Sequence, residues 1–164
     1  MPRNLIALAI AAAVWIGGAA LSPQAVAAEQ LPFSTNMLTG NAELTPTDDA
    51  CIMRNEETGS GKATHLGMFT WTDVELVDFC AIPDGVSVVG WFTMTAASGD
   101  LLHGELTTTG VFDQDGNLVI DGDYVFTGGT GRFADATGSG EIEVTAFLSP
   151  GLPFEGNLRG TIDY

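Results

Sequence analysis

One histidine is the side chain of this sequence that most directly suggests chemistry. His65 has the same strand parity as Phe69 and Trp71, so in an extended segment the three side chains would point the same way. An imidazole inside an apolar cavity can donate or accept a proton near neutral pH. The alternative is a histidine that bonds to backbone groups and fixes the end of a strand. Because Leu66 and Met68, of the opposite parity, are also apolar, a bulge could exchange the two faces here.

The other polar residues give weaker indications of a functional site. His103 and Glu105 share one face of a strand and could hold a metal ion, but no third ligand is placed near them, so a solvated pair is the simpler interpretation. The segment 113–117 resembles the start of a calcium loop. It lacks the glycine and the final glutamate at the EF-hand positions, so a hairpin turn explains it better. We therefore predict no metal site and no cofactor.

Recognisable catalytic and nucleotide-binding motifs are missing from the sequence. It contains no P-loop, no dinucleotide fingerprint, no Gly-x-Ser-x-Gly and no metalloprotease motif. Glu141 and Glu143 lie on one face of one strand, as a solvated pair does, and not across a substrate as a general acid and base would. The sequence therefore assigns no reaction, and whether the chain is an enzyme stays open.

The two cysteines, Cys51 and Cys80, are expected to form one disulfide in an oxidising compartment. The bond would close a loop of about 30 residues and stabilise the fold by roughly 3–4 kcal/mol in the chain-entropy model. A pair of buried free thiols is the alternative.

The N-terminal residues 1–28 are typical of a secretory signal peptide. An unbroken apolar stretch over residues 5–16 follows Arg3, and small residues precede a cut after Ala27 or Ala28. A membrane anchor would need about 20 uninterrupted apolar residues, whereas glycine, serine and proline follow the apolar stretch here. The mature protein is therefore expected to be secreted or periplasmic, with no membrane attachment after cleavage.

The charge of the chain bears on its partners. The sequence has 21 acidic and five basic residues, a formal net charge of −16, and loss of Arg3 with the signal peptide makes it one unit more negative. Such a charge repels nucleic-acid phosphates and anionic membranes, and it favours solubility. About 136 residues remain, which is one ordinary domain. No apolar stripe in the sequence decides the oligomeric state, so an oligomer is possible.

Most of the mature chain predicts β-strands. Apolar or small residues alternate with polar ones over five segments, which is the period of strands with one buried face; the segments are 86–96, 102–112, 118–126, 142–148 and 154–164. A bent strand over 64–79 and another over 33–44 are also expected. Short turns rich in glycine, aspartate and proline separate the segments and predict antiparallel hairpins.

Seven or eight strands in about 130 residues form a closed barrel or a sandwich. Glycines on the apolar faces, such as Gly104, Gly122 and Gly156, let strands coil sharply inside a narrow barrel, which favours the barrel. We therefore predict an all-β fold, a small antiparallel β-barrel of seven to eight strands. Its parts would be the signal peptide 1–28, an N-terminal segment 29–60 that leads into the barrel, and the barrel core 61–164.

The segment Gly128-Gly-Thr-Gly-Arg-Phe-Ala-Asp-Ala-Thr-Gly-Ser-Gly140 resembles the Gly-rich turn of the allene oxide cyclase-like and dirigent-like β-barrels. Residues 63–67 and 160–164 are also similar to a bacterial secreted group of that fold, so the resemblance covers about residues 61–164. It implies an eight-stranded antiparallel barrel with a central cavity. Some members of that superfamily cyclise unsaturated lipid epoxides, and others steer radical coupling of phenols. Their catalytic carboxylates and pocket residues match no positions here, so the resemblance implies no reaction.

Three functions are open for such a barrel. It could bind a small apolar or aromatic molecule in its central cavity, as closed barrels of this size can. It could be a cofactor-free cyclase or isomerase that holds a flexible substrate in one reactive shape. It could also be a structural or interaction protein filled by its own side chains. We expect the first. The predicted cavity residues are His65, Phe69, Phe92, Met94, Tyr124 and Phe126.

Overall fold

A computed structural model describes residues 30–164, and the predicted signal peptide lies outside the described residues. Eight strands follow one another along the described chain: β1 Leu31–Pro46, β2 Ile52–Ala63, β3 Gly67–Asp78, β4 Gly85–Ala96, β5 Leu101–Phe112, β6 Leu118–Gly129, β7 Thr137–Ala146 and β8 Pro153–Asp163. Each strand pairs antiparallel with the next, and β1 pairs with β8, which closes the barrel. The predicted all-β antiparallel barrel is confirmed, with eight strands.

The barrel begins N-terminal to the predicted core of 61–164. The segment 29–60, expected to lead into the barrel and to include a strand over 33–44, contains β1 and most of β2. The sequence does not predict strand β2, because four of its inward positions are polar or glycine and give no apolar alternation. They are Asn55, Glu57, Gly59 and Gly61. Its place in the sheet is set by full pairing with β1 and β3 on either side.

Inward-facing glycines permit the tight curvature. Gly104 on β5 lies under the ring of Phe92 on β4, and a Cβ atom at Gly104 would stand 2.2 Å from that ring. Any larger residue would therefore push Phe92 out of its place. This close approach is the reason for glycine on an apolar face.

The two ends of the barrel differ. At the end that we call the closed end, the turns at 64–66, 97–100 and 130–136 meet the two ends of the described chain. The 3₁₀ turn Gly131–Phe133 lies there, and Phe133 is fully buried. At the opposite end, the disulfide end, Cys51 and Cys80 join the β1–β2 and β3–β4 turns with their Cα atoms 5.4 Å apart, so the predicted disulfide is confirmed.

Residues 30–164 include no helix with the length and hydropathy that a membrane crossing requires.

Candidate functional site

Three of the aromatic residues predicted for a cavity wall, Phe92, Tyr124 and Phe126, lie close to one another, with 5.0–6.2 Å between ring centroids. Trp71 stacks on Phe92, with 4.7 Å between ring centroids and 15° between ring planes. The rings of Tyr124 and Phe126 lie 5.0 Å apart, and Phe33 meets Phe126 edge-on at 4.9 Å. The closed half of the barrel is therefore filled by its own side chains. The predicted wall residues buried in it are Phe69, Phe92, Met94, Tyr124 and Phe126.

Tyr124 brings a polar atom into this apolar cluster. The residue is 1 % exposed, and its hydroxyl has no hydrogen-bond partner among the described residues. Burial raises the pKa of Tyr124. A buried hydroxyl without a partner loses its hydrogen bonds to water and gains none in the protein. The Tyr124 hydroxyl is therefore expected to lower the stability of the fold.

The structure places His65 in the turn between β2 and β3 at the closed end, away from the aromatic cluster. Its φ is 67°, a left-handed conformation that interrupts the strand alternation on which its parity with Phe69 depends. The ring Nε2 lies 3.0 Å from the carbonyl oxygen of Pro32, and Nδ1 lies 3.1 Å from the Tyr164 hydroxyl. Arg132 donates a hydrogen bond to the His65 carbonyl oxygen. His65 therefore joins the two ends of the described chain to this turn.

The remaining polar candidates have local partners. His103 lies on the outer side of β5, with Nδ1 3.0 Å from the Thr93 hydroxyl. In the β5–β6 turn, the Asp113 carboxylate accepts hydrogen bonds from the backbone N–H groups of Asn117 and Asp115. These bonds lower the pKa of Asp113, the Asn117 backbone bond most, and they account for segment 113–117 as a turn.

Three carboxyl groups that the sequence patterns do not single out face the barrel interior. Glu57 lies on β2 and is directly opposite Asp73 on β3, two residues before Glu75. Asp73 is 2 % exposed, Glu75 is 9 % exposed and Glu57 is partly buried. We call Glu57, Asp73 and Glu75 the carboxyl cluster. The signal for two of them was present, since Asp73 and Glu75 share the parity of Trp71.

The carboxyl cluster is only partly satisfied by hydrogen bonds. Asn55, which pairs with Glu75 across the strands, donates through Nδ2 to Glu57 at 3.0 Å and to Glu75 at 2.8 Å. No described group hydrogen-bonds either oxygen of Asp73, and Asn55 Oδ1 and Trp71 Nε1 are also buried without a partner. Such groups are uncommon in folded proteins and indicate a water, an ion or a shared proton.

Burial and mutual repulsion oppose full ionisation of the carboxyl cluster. Desolvation, and then the charge of Glu75, raises the pKa of Glu57 to about 8. Desolvation, and then the charges of Glu75 and Glu57, raises the pKa of Asp73 to about 10. Desolvation also raises the pKa of Glu75, although the hydrogen bond from Asn55 and, less strongly, the neighbouring Asp73 carboxyl oppose this. Without a cation, the cluster therefore retains protons at neutral pH, and Asp73 holds a proton more strongly than Glu57 does.

A small cavity adjoins the carboxyl cluster. Its volume is about 20 Å³, which is room for one water-sized group. Polar side chains form one part of the wall and apolar side chains the rest. The wall consists of Glu57, Trp71, Asp73, Glu75, Thr108, Leu38, Leu106, Ile120, Ile142, Val144 and Phe154. One oxygen from each cluster carboxyl lies within 4.8 Å of the others, so all three can reach one occupant.

The outer surface has an acidic face on β6, β7 and β8. Asp121 stands opposite Glu143 and Asp123 opposite Glu141, and all four are exposed. Like charges in directly opposed positions repel one another, but solvent screens them there. They line an open groove that contains no buried unpartnered polar atom among the described residues. The carboxyl cluster inside the barrel is therefore the stronger candidate site.

Comparisons of the chain with models of known families, with curated proteins and with solved structures find no match.

Proposed function

We propose that this chain is an exported binding protein whose barrel interior holds a small, positively charged ligand against the carboxyl cluster. The observation that supports this most directly is the Asp73 carboxyl, which is 2 % exposed, has no hydrogen-bond partner and lines a cavity. A buried carboxylate costs several kcal/mol unless a partner compensates for its lost hydration. A cation in the cavity supplies that partner for all three carboxyls at once.

The volume of the cavity sets the size of the group that binds. About 20 Å³ admits an ammonium group or a metal ion, and it is too small for an aromatic ring. The apolar or aromatic ligand predicted from the sequence would have to separate the Trp71–Phe92 stack and its neighbours. An apolar portion of a ligand can instead contact cavity-wall residues such as Leu106 and Ile142 while its charged group meets the carboxyls. Charge, and not aromatic surface, is therefore the proposed basis of recognition.

Kinship with the allene oxide cyclase-like and dirigent-like barrels is a further part of the proposal. It is supported by the eight-stranded closed barrel and by the Gly-rich segment 128–140, which forms the β6–β7 connection at the closed end. A cyclase or isomerase would need room for an organic substrate, and a cavity of about 20 Å³ does not provide it. The geometry therefore favours binding over turnover.

Export is proposed on two grounds. The Cys51–Cys80 disulfide is typical of oxidising compartments such as the periplasm or the extracellular space. The N-terminal sequence is typical of a signal peptide. A binding protein in such a compartment meets its ligand directly in the surrounding medium.

The test compares native and denatured mass spectra of the mature protein purified without chelator. The wild type should retain an added mass, or gain one from a panel of metal salts and primary amines, and Asp73→Asn should lose it. Asp121→Asn, which removes the same charge from the outer face, should retain it. If no cation in the panel adds mass to the wild type or raises its melting temperature, the barrel is a filled scaffold and the proposal is wrong.

A further inference from the structure

We infer that the occupant of the carboxyl cluster is a calcium ion, coordinated by Glu57, Asp73 and Glu75. This inference rests on the proposed function and names its ligand. Carboxylate oxygens are hard ligands, and hard divalent cations prefer them. The three carboxyls come from two adjacent strands that are paired along their whole length, so the backbone holds them at fixed spacing.

The spacing of the oxygens agrees with one shared ion. Calcium binds oxygens at about 2.3–2.6 Å, so two ligands on opposite sides of the ion are about 5 Å apart. One oxygen of each cluster carboxyl lies within 4.8 Å of the other two. Small rotations of the side chains can therefore bring all three onto a single ion.

A second observation, independent of the negative charge, also indicates an occupant. The indole N–H of Trp71 is buried at 2 % exposure and has no hydrogen-bond partner, and Trp71 lines the same cavity. The Trp71 indole lies close enough to Glu57 to lower the pKa of that carboxyl, but its N–H does not form a hydrogen bond with it. With an ion present, this N–H can donate to an ion-bound water or to a ligating carboxylate, as groups around a metal site commonly do.

The limited room favours calcium over magnesium. Magnesium usually keeps several of its waters and requires near-octahedral geometry, whereas calcium accepts irregular geometry and bidentate carboxylates. The cavity of about 20 Å³ has room for about one water-sized group. Three bidentate carboxylates supply six oxygens without further waters, and Asn55 Oδ1 is another buried oxygen without a partner beside Glu57 and Glu75.

Terbium luminescence tests the inference on the full mature chain after removal of metals with a chelator. Tb³⁺ occupies calcium sites and emits when a tryptophan close to it is excited. We expect sensitised emission that saturates at one Tb³⁺ per chain and is displaced by excess Ca²⁺. Asp73→Asn should weaken Tb³⁺ binding at least about ten-fold. Trp71→Phe should remove the sensitised emission while calorimetry still detects binding.

Matched variants separate this site from the acidic outer face. The variants Asp121→Asn and Glu143→Gln remove one opposed carboxylate pair outside the barrel, and Trp91→Phe removes an indole that is 57 % exposed on β4. All three should leave the sensitised emission unchanged. Circular dichroism checks that each variant is folded, and Glu57→Gln repeats the test if Asp73→Asn does not fold.

The outcomes distinguish this inference from the proposed function. Three results overturn the calcium site. The wild type gives no sensitised emission, or the emission survives both Asp73→Asn and Trp71→Phe, or it is lost when Asp121 and Glu143 are replaced. If calcium and terbium fail but a primary amine or a monovalent cation stabilises the wild type and not Asp73→Asn, the calcium inference is wrong and the proposed function stands. If no cation stabilises the wild type, both are wrong.

Discussion

Replacing Asp73 by asparagine is predicted to stabilise the metal-free protein, and to do so more as the pH rises. The substitution keeps the size of the side chain and removes its charge. In the folded chain, burial and the neighbouring Glu75 and Glu57 raise the pKa of Asp73 to about 10. In the unfolded chain, an aspartate titrates near 3.9. Between those pH values the folded chain therefore holds a proton that the unfolded chain has lost.

The sign and size of the effect follow from proton linkage. Because the folded state binds more protons, the contribution of Asp73 to stability is full below about pH 4 and is lost as the pH rises towards 10. Each pH unit in this window costs up to about 1.4 kcal/mol, so the loss from pH 5 to pH 8 is at most about 4 kcal/mol. The pKa of Glu57, raised to about 8, acts in the same direction up to that pH. A loss of about 2–4 kcal/mol is a large share of the 5–15 kcal/mol that stabilises a typical domain.

The assay is urea unfolding in the presence of EDTA, with the disulfide intact, at pH 5 and pH 8. We expect the wild type to lose about 2–4 kcal/mol of unfolding free energy between the two, and Asp73→Asn to lose measurably less, the remainder coming from Glu57 and Glu75. Asp121→Asn is the matched control, because it removes one negative charge from an exposed position. It should change the pH dependence only slightly, since solvent screens that site.

Two results would refute the reasoning. One is a wild type whose unfolding free energy rises between pH 5 and pH 8 in EDTA. The other is a pH dependence that Asp73→Asn leaves unchanged. The first would mean that the interior carboxyls are ionised at neutral pH without a cation, so that hydration or a partner compensates for their burial. The second would mean that Asp73 does not hold the extra proton of the folded state.

Three further predictions concern the scaffold. Reduction of the Cys51–Cys80 bond should lower the unfolding free energy by about 3–4 kcal/mol, and unfolding with and without reductant measures it; no change would contradict a stabilising bond. Gly104→Ala should cost about 1–3 kcal/mol and alter tryptophan fluorescence, because the new Cβ displaces Phe92 from the ring that it stacks on; an unchanged spectrum would speak against the close approach. Tyr124→Phe should raise the unfolding free energy by about 1 kcal/mol, since the buried hydroxyl has no partner; a loss in urea unfolding would reveal one.

Some of the site residues can be identified from the sequence pattern of their own strand, and others cannot. Asp73 and Glu75 lie at the parity of Trp71, on a strand whose inward face is otherwise apolar, and two acids in that pattern can be detected in the sequence as buried carboxyls. Glu57 cannot, because the inward positions on either side of it, Asn55, Gly59 and Gly61, are polar or glycine and give no period-two pattern. Parity groups His65 with Phe69 and Trp71, but its left-handed backbone lies in a turn, which strand counting does not register.

The sequence by itself determined the barrel and its disulfide. Alternation with a period of two, glycines on the apolar faces and short hairpin turns are local properties, and they predict an antiparallel meander and favour its closure into a barrel, which the structure shows. Only the tertiary structure decided that the aromatic side chains fill one half of the interior, and that Glu57 stands opposite Asp73. Strand register and interior volume depend on how all eight strands pack together, and no single strand contains that information.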